Sequence, residues 1–297
     1  MADIDQLAAA FEEQRPHLRA VAYRLLGSTA DAEDAVQDTW LRMTRADASE
    51  VANLGGWLTT IVARVALNML RSRKVRREEP VGDSWPAGAS QVAAGSAADP
   101  ESEAVLADSV GIAVLVVLDR LNPAERLAFV LHDMFAMPFT EVAAILGRSA
   151  EATRQLASRA RRRVQAAPSP ARAADVARQR EVAAAFLAAS RSGDLAALVA
   201  VLDSDVTLRS DAGAVPSGKP IVLTGADNVA RGAKMASRLA QHSELALIDG
   251  DVGIVSAPAG VLQVVLTLTI KDRRVVAIDV IADKDRLRRL ELAVLPD

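Results

Sequence analysis

The sequence predicts a multidomain fold: two all-α helical domains, the second ending in a helix-turn-helix, followed by an α+β domain shaped as a cone. Three observations lead there. Residues 1–77 and 101–166 carry helical periodicity with few breakers. A stretch rich in Pro, Gly, Ala and Ser (EEPVGDSWPAGASQVAAGSAADP, 78–100) separates them as a linker. After a second short linker at 167–174, helices give way to strand-like alternation over 175–297. A length of 297 residues suits two or three such domains.

Composition narrows the function classes. The chain has no cysteine, so disulfides, thiol nucleophiles and cysteine-rich zinc sites are excluded. His17, His132 and His242 lie far apart, none with a partner at metal-ligand spacing, so neither metal nor cofactor is expected. The apolar run VGIAVLVVLDRL is cut short by Asp119 and Arg120, below the roughly 18 residues that span a bilayer. The acidic start MADIDQLAAAFEEQRP lacks a basic n-region, so the expected address is the cytoplasm, without a membrane partner.

The formal net charge of -3 hides a strong local pattern. Arg71 to Arg77 (RSRKVRR) holds five positive charges and no negative one, and Arg148 to Arg163 holds six arginines against Glu151. Acidic residues gather at Asp31, Glu33, Asp34 and Asp38. A phosphate backbone responds to such patches rather than to the global balance.

In the first block, Ser28 or Thr29 is placed to cap a helix whose first turn carries Asp31, Glu33 and Asp34. Ala32, Ala35, Val36, Thr39, Trp40 and Met43 share its core face. Asp31, Asp34, Asp38, Leu41, Arg42 and Arg45 share the opposite face, which reads either as solvated or as a partner surface. The following helix turns Leu58, Ile61, Val62, Val65, Leu67 and Leu70 inward and ends in RSRKVRR. Basic residues favour any helix C-terminus, but five in seven positions exceed what capping needs.

Near residue 147 the pattern is helix-turn-helix. A short helix from Thr140 stops at Gly147, which tolerates the left-handed turn, and Ser149 caps the next helix. Thr153, Leu156, Ala157, Ala160 and Val164 form its inward stripe, while Ala143 is small enough to let the two helices approach. A helix so placed in a major groove presents Arg154, Gln155, Ser158 and Arg159 to base edges, with Arg161, Arg162 and Arg163 near phosphates.

The order of these pieces is more specific than any one of them. AYRLLGSTADAEDAVQDTWLRM followed by GGWLTTIVARVALNMLRSRKVRR resembles region 2 of extracytoplasmic-function (ECF) sigma factors, and LDRLNPAERLAFVLHDMFAMPFTEVAAILGRSAEATRQLASRARRRV resembles their region 4. The resemblance implies two partners, core RNA polymerase and promoter DNA. It places polymerase docking on Asp31, Asp34, Gln37, Asp38 and Arg42. It places capture of the melted −10 element on the loop from Ala46 to Gly56 and the helix after it, with Asn53, Trp57, Arg64, Asn68, Arg71 and Lys74 as candidates, Trp57 being equally a core residue. Reading of the −35 duplex falls to Ser149, Arg154, Gln155, Ser158 and Arg159.

The last block reads as two helices, a strand, a third helix and strands turned by DGD and KDRR, expected to form a curved antiparallel sheet. Through that order and through SGDLAAL and VLDSDVTLRSD it is similar to a SnoaL-like (NTF2-like) cone, as fused to sigma factors of the sigma-J type. The sigma-J type's WLPEP-like linker element is reduced here to Trp85-Pro86, its NPDKL-like element is ADKDRL (282–287), and its SDGGGK-like loop is SDAGAVPSGK (210–219). The resemblance implies a regulatory domain that contacts regions 2 and 4 or binds a small ligand, with Asp211, His242 and Asp279 as candidate pocket residues. The expected function is therefore a non-enzymatic sigma factor with a fused modulating domain. Two other readings stay open at this stage: a stand-alone ligand-responsive helix-turn-helix regulator, and a SnoaL-like cyclase or isomerase tethered to a DNA-binding module.

Overall fold

The hydroxyl of Ser28 accepts the N–H of Asp31 at 3.3 Å, resolving the first cap in favour of Ser28 over Thr29. It starts α2 (Thr29–Arg45), which follows α1 (Ile4–Leu26) and precedes α3 (Leu54–Glu78). The computed structural model describes residues 4–46, 51, 53–78, 111–165, 170–215 and 218–296. The 78–100 linker with Trp85-Pro86 lies outside them, apart from Glu78 at the end of α3.

The chain forms two units, Met1–Val110 with Leu121–Arg161, and Gly111–Arg120 with Arg162–Asp297. In the first, α1, α2 and α3 pack pairwise. Ala32, Ala35, Val36, Thr39 and Met43 of α2 are buried, and so are Leu58, Val62, Val65, Leu67 and Leu70 of α3. Trp40 and Ile61, expected inward, are half-buried at the margin, Trp40 edge-on to Phe11 at 5.1 Å between ring centroids.

Helix α5 (Pro123–Phe129) opens on Asn122, whose Oδ1 accepts the N–H of Glu125 at 2.9 Å, with proline where the helix needs no donor. It continues into a π-helical turn, Val130–Met134. Helices α6 (Phe139–Leu146) and α7 (Ala150–Val164) follow. Gly147 between them adopts φ 65° and ψ 40°, the left-handed stop expected of it. Ser149 Oγ then accepts the N–H of Ala152 at 3.1 Å. Ala143, Thr153, Leu156, Ala157, Ala160 and Val164 are buried.

The second unit is α+β. Helices α8 (Pro170–Ser192) and α9 (Leu195–Val201), with α10 (Ala226–Met235) and α11 (Ser237–Ala240), accompany seven strands: β1 (Leu202–Ser210), β2 (Ile221–Thr224), β3 (Ser243–Ile248), β4 (Asp251–Ser256), β5 (Val264–Lys271), β6 (Arg274–Ile281) and β7 (Leu292–Ala293). Helix α12 (Lys284–Arg289) lies between the last two. Sheet order is β2-β1-β6-β5-β4-β3-β7. The two expected turns are tight: Asp249 and Gly250, then Asp272 and Arg273, all have positive φ, as a two-residue hairpin of primed type requires.

Three expectations are corrected here. The sheet is mixed, because β1 pairs parallel with β6 while the other pairs are antiparallel. The third helix is broken in two at Ala236. The linker placed at 167–174 is helical from Pro170, proline being tolerated in a first turn.

Helix α4 (Ile112–Asp119) belongs to the second unit, although its sequence adjoins α5. IAVLVVLD is apolar on every side, so it needs cover all round. It packs against β3, β4 and β7, and Ala113, Leu115, Val116, Val117 and Leu118 are buried.

Candidate nucleic-acid interface and the cone cavity

On α7 the outward residues are Arg154, Gln155, Ser158, Arg159, Arg162 and Arg163, all exposed. The inward stripe holds the helix by its other side, so spacing alone presents these groups together. Arg154 is aimed by a ring: its guanidinium stands 5.6 Å from the centroid of Phe139, which itself stacks on His132 at 3.6 Å. Arg159 Nε lies 3.5 Å from Oε1 of buried Glu125. Arg161, expected at phosphates, folds back instead and donates from Nε to Asp133 Oδ1 at 2.8 Å. Ser149 starts the helix by accepting the N–H of Ala152, and its hydroxyl keeps its own hydrogen.

On α3, Trp57, Arg64, Asn68 and Arg71 fall on one side at helical spacing. Arg64, Asn68 and Arg71 are exposed and Trp57 is half-buried. Val75 continues this side as an exposed apolar residue that sequence reasoning missed; its spacing from Asn68 and Arg71 was the available signal. Asn53 is exposed, but its Oδ1 accepts the N–H of Gly56 at 3.0 Å and caps the helix. Lys74 lies on α3 with its side chain outside the described residues, and residues 47–50 and 52 of the Ala46–Gly56 loop lie outside them too.

The acidic face of α2 divides in two. Asp34, Gln37 and Arg42 are exposed, Asp38 pairs with Arg42 at 3.0 Å, and Leu41 stands among them 48% exposed. Asp31, expected on the same face, is drawn into an ion pair with Arg73. Arg73 also donates to the carbonyl of Leu26 at 3.1 Å. One of the five charges of RSRKVRR is thereby used to tie α3 to α1 and α2.

Asp211, His242 and Asp279 are not brought together, and none lines the cavity of the cone. Asp211 accepts the N–H groups of Ala282 and Asp283 at 3.0–3.1 Å, joining SDAGAV to ADKDRL. Gly213 is needed at that junction, since a Cβ there would stand 3.0 Å from the backbone of Ala282. Asp279 alternates with Ile278 and Val280, which face inward, and so points to the other side of the sheet, in register with Arg209 and Thr267. His242 is exposed.

The cavity itself measures about 250 Å³, walled by aliphatic and aromatic groups such as Phe186, Leu208, Leu223, Leu266 and Val280. The polar residues of its described lining are Ser190, Ser210 and Ser243, which the sequence reading passed over. A serine ending the apolar run AAAFLAAS was the one visible sign. Among the described residues no group of His, Asp and Glu is placed to hold a metal, and no helix is long and apolar enough to cross a membrane.

The comparisons agree with the order of these parts. A sigma-70 region 2 model matches residues 10–76, and a sigma-70 region 4 model matches residues 112–164. The chain is 39% identical over 289 residues to the ECF RNA polymerase sigma factor SigJ of Mycobacterium tuberculosis (strain ATCC 25618 / H37Rv), covering 93% of this chain and 91% of that protein. It is 37% identical over 230 residues to the probable ECF RNA polymerase sigma factor SigI of the same strain, covering 77% and 76%. A crystal structure of the M. tuberculosis SigJ aligns over 94% of this chain and 98% of that one at 36% identity, with a TM-score of 0.47. With two exposed basic helix faces, a helix-turn-helix and this breadth of identity, the chain belongs to the ECF RNA polymerase sigma factors.

Proposed function

We propose that this chain binds core RNA polymerase and directs it to a promoter set, working in the cytoplasm where the polymerase works. The observation that carries the reading is the pairing of two separate exposed basic faces, on α3 and α7, with an acidic, leucine-bearing face on α2. The α2 face (Asp34, Gln37, Asp38, Leu41, Arg42) docks on the polymerase. The α3 side with Trp57, Arg64, Asn68 and Arg71 takes single-stranded −10 DNA, where bases need stacking surfaces and the backbone needs charge. Arg154, Gln155, Ser158 and Arg159 read the −35 duplex, with Arg162 and Arg163 on phosphates. With a net charge of -3 the chain is expected to bind DNA weakly on its own, the polymerase supplying the remaining contacts.

The second unit modulates this activity rather than catalysing a reaction. Helix α4 belongs to the segment matched by region 4 and yet packs on β3, β4 and β7. In β3, Ser243 lines the cavity and its neighbour Glu244 accepts the N–H of Ala113 in α4 at 2.9 Å. That adjacency supports a domain that senses a ligand and acts through region 4. Transcription from a matched promoter with purified core polymerase tests the first part, and no open complex above the core-only background overturns it. Removing residues from 175 onward tests the second: polymerase binding persists while promoter output changes, and unchanged output overturns the modulating role.

A further inference from the structure

The cone cavity selects by charge and by hydrogen-bond polarity. Its described lining contains no ionisable side chain. A charged ligand there would lose its hydration with no counter-charge in the lining. The volume, about 250 Å³, is at the small end for ligand sites.

The hydroxyls add direction. Ser190 Oγ donates to the carbonyl of Phe186 at 2.8 Å, and Ser243 Oγ donates to that of Leu239 at 2.8 Å. Each hydroxyl has a single hydrogen, so both have only lone pairs left to offer. Both residues are buried. Ser210 is the reverse, since its Oγ accepts the N–H of Ile221 at 3.3 Å and keeps its own hydrogen. Its partner Ile221 is 37% exposed. The two buried serines therefore ask for a donor, in aliphatic surroundings.

We infer that the cone binds a small neutral aliphatic alcohol, its hydroxyl donating to Ser190 or Ser243 and its hydrocarbon lying along Leu208, Leu223, Leu266 and Val280. The inference rests on the reading of this unit as a ligand-responsive modulator, and its test separates the two.

The full chain is titrated calorimetrically with 1-octanol, methyl octyl ether and octanoate. The ether keeps an acceptor and loses the donor, while octanoate brings a charge. Octanol should bind once per chain, at least about tenfold more tightly than octanoate and roughly fivefold more tightly than the ether. Ser190→Ala with Ser243→Ala should erase the advantage over the ether. Ala233→Phe should fill the cavity and abolish all binding; where that variant fails a thermal-melt check of folding, Ala236→Trp at the exposed side replaces it. No binding of octanol, equal binding of octanoate or the ether, or full binding in the filled variant overturns the inference. Open-complex formation is measured on the same preparations. Failure of octanol to bind, with output that still changes when residues from 175 onward are removed, overturns this inference alone; octanol binding, with output unchanged by that removal and by octanol, overturns the modulator reading alone.

Discussion

Glu244 Oε2 accepts the backbone N–H of Ala113 at 2.9 Å, so a carboxylate from β3 caps the N-terminus of α4. Gly111, before that helix, supplies no side-chain cap of its own and sits at φ 76°. At the other end, Arg120 donates to the carbonyls of Leu287 and Arg288 at 2.7 and 3.1 Å, at the last turn of α12, where the Leu287 carbonyl also accepts the N–H of Leu290. The helix is thus held at both ends by side chain–backbone hydrogen bonds within its own unit.

Glu244→Ala should destabilise the second unit by about 1 kcal/mol, the usual worth of a lost cap. Amides at the start of α4 should exchange faster by hydrogen exchange. Glu181→Ala, which removes an ion pair to Arg273 between two well-exposed side chains, should change stability little.

Asp31 and Asp34 should separate cleanly. Arg73→Ala removes both an ion pair and the bond to the Leu26 carbonyl, and should cost about 1–2 kcal/mol by thermal melt. Asp31→Asn should show a smaller loss of the same kind. Asp34→Ala should leave the melt unchanged while weakening binding to core polymerase. A melt unaffected by Arg73→Ala would remove the structural role given to this pair.

On α7, Arg154→Ala should cost about 1–3 kcal/mol of discrimination at one base pair, read in the holoenzyme with a promoter library. Arg162→Ala should weaken all sequences alike and lower the salt slope by about one. Arg161→Ala, because Arg161 is held by Asp133, should show up in stability as well as in DNA binding.

His17 gives a pH dependence. Partial burial, and next the Arg24 guanidinium, hold its pKa below the ordinary 6.5. Its ring meets Phe135 edge-on at 5.5 Å, and Nε2 lies 3.2 Å from Thr59 Oγ1. The unfolded chain then binds more protons than the folded one between the lowered value and 6.5. Stability is accordingly full above that window and falls as pH drops through it. His17→Gln should flatten this stretch of a melt-against-pH curve; an unchanged slope would exclude His17 as its source.

Much of the candidate interface was legible in one dimension. The buried and exposed faces of α2, α3 and α7 follow from a period of 3.6 residues, and the Gly147–Ser149 turn from the left-handed preference of glycine and the capping chemistry of serine. Those signals are local. The partner of Asp31 was not local, since Arg73 reaches it only once α3 packs on α2. Asp211 was a candidate pocket residue through the resemblance, yet the fold brings the N–H groups of Ala282 and Asp283 to it, and a carboxylate takes such donors first.

Covalent order and residue chemistry were enough to specify helices, their apolar stripes, the two basic faces and the kinship with sigma factors. Tertiary packing decided which charges remain free for partners and which are consumed in holding the protein together. It also decided that α4, apolar on every side, is covered by β3, β4 and β7, and that the described lining of the cone cavity holds three serines and no acid. The physical reason is reach. Helical period and capping act within a few residues, whereas ion pairs, carboxylate caps and cavity walls join groups that only the folded chain brings within a few ångströms.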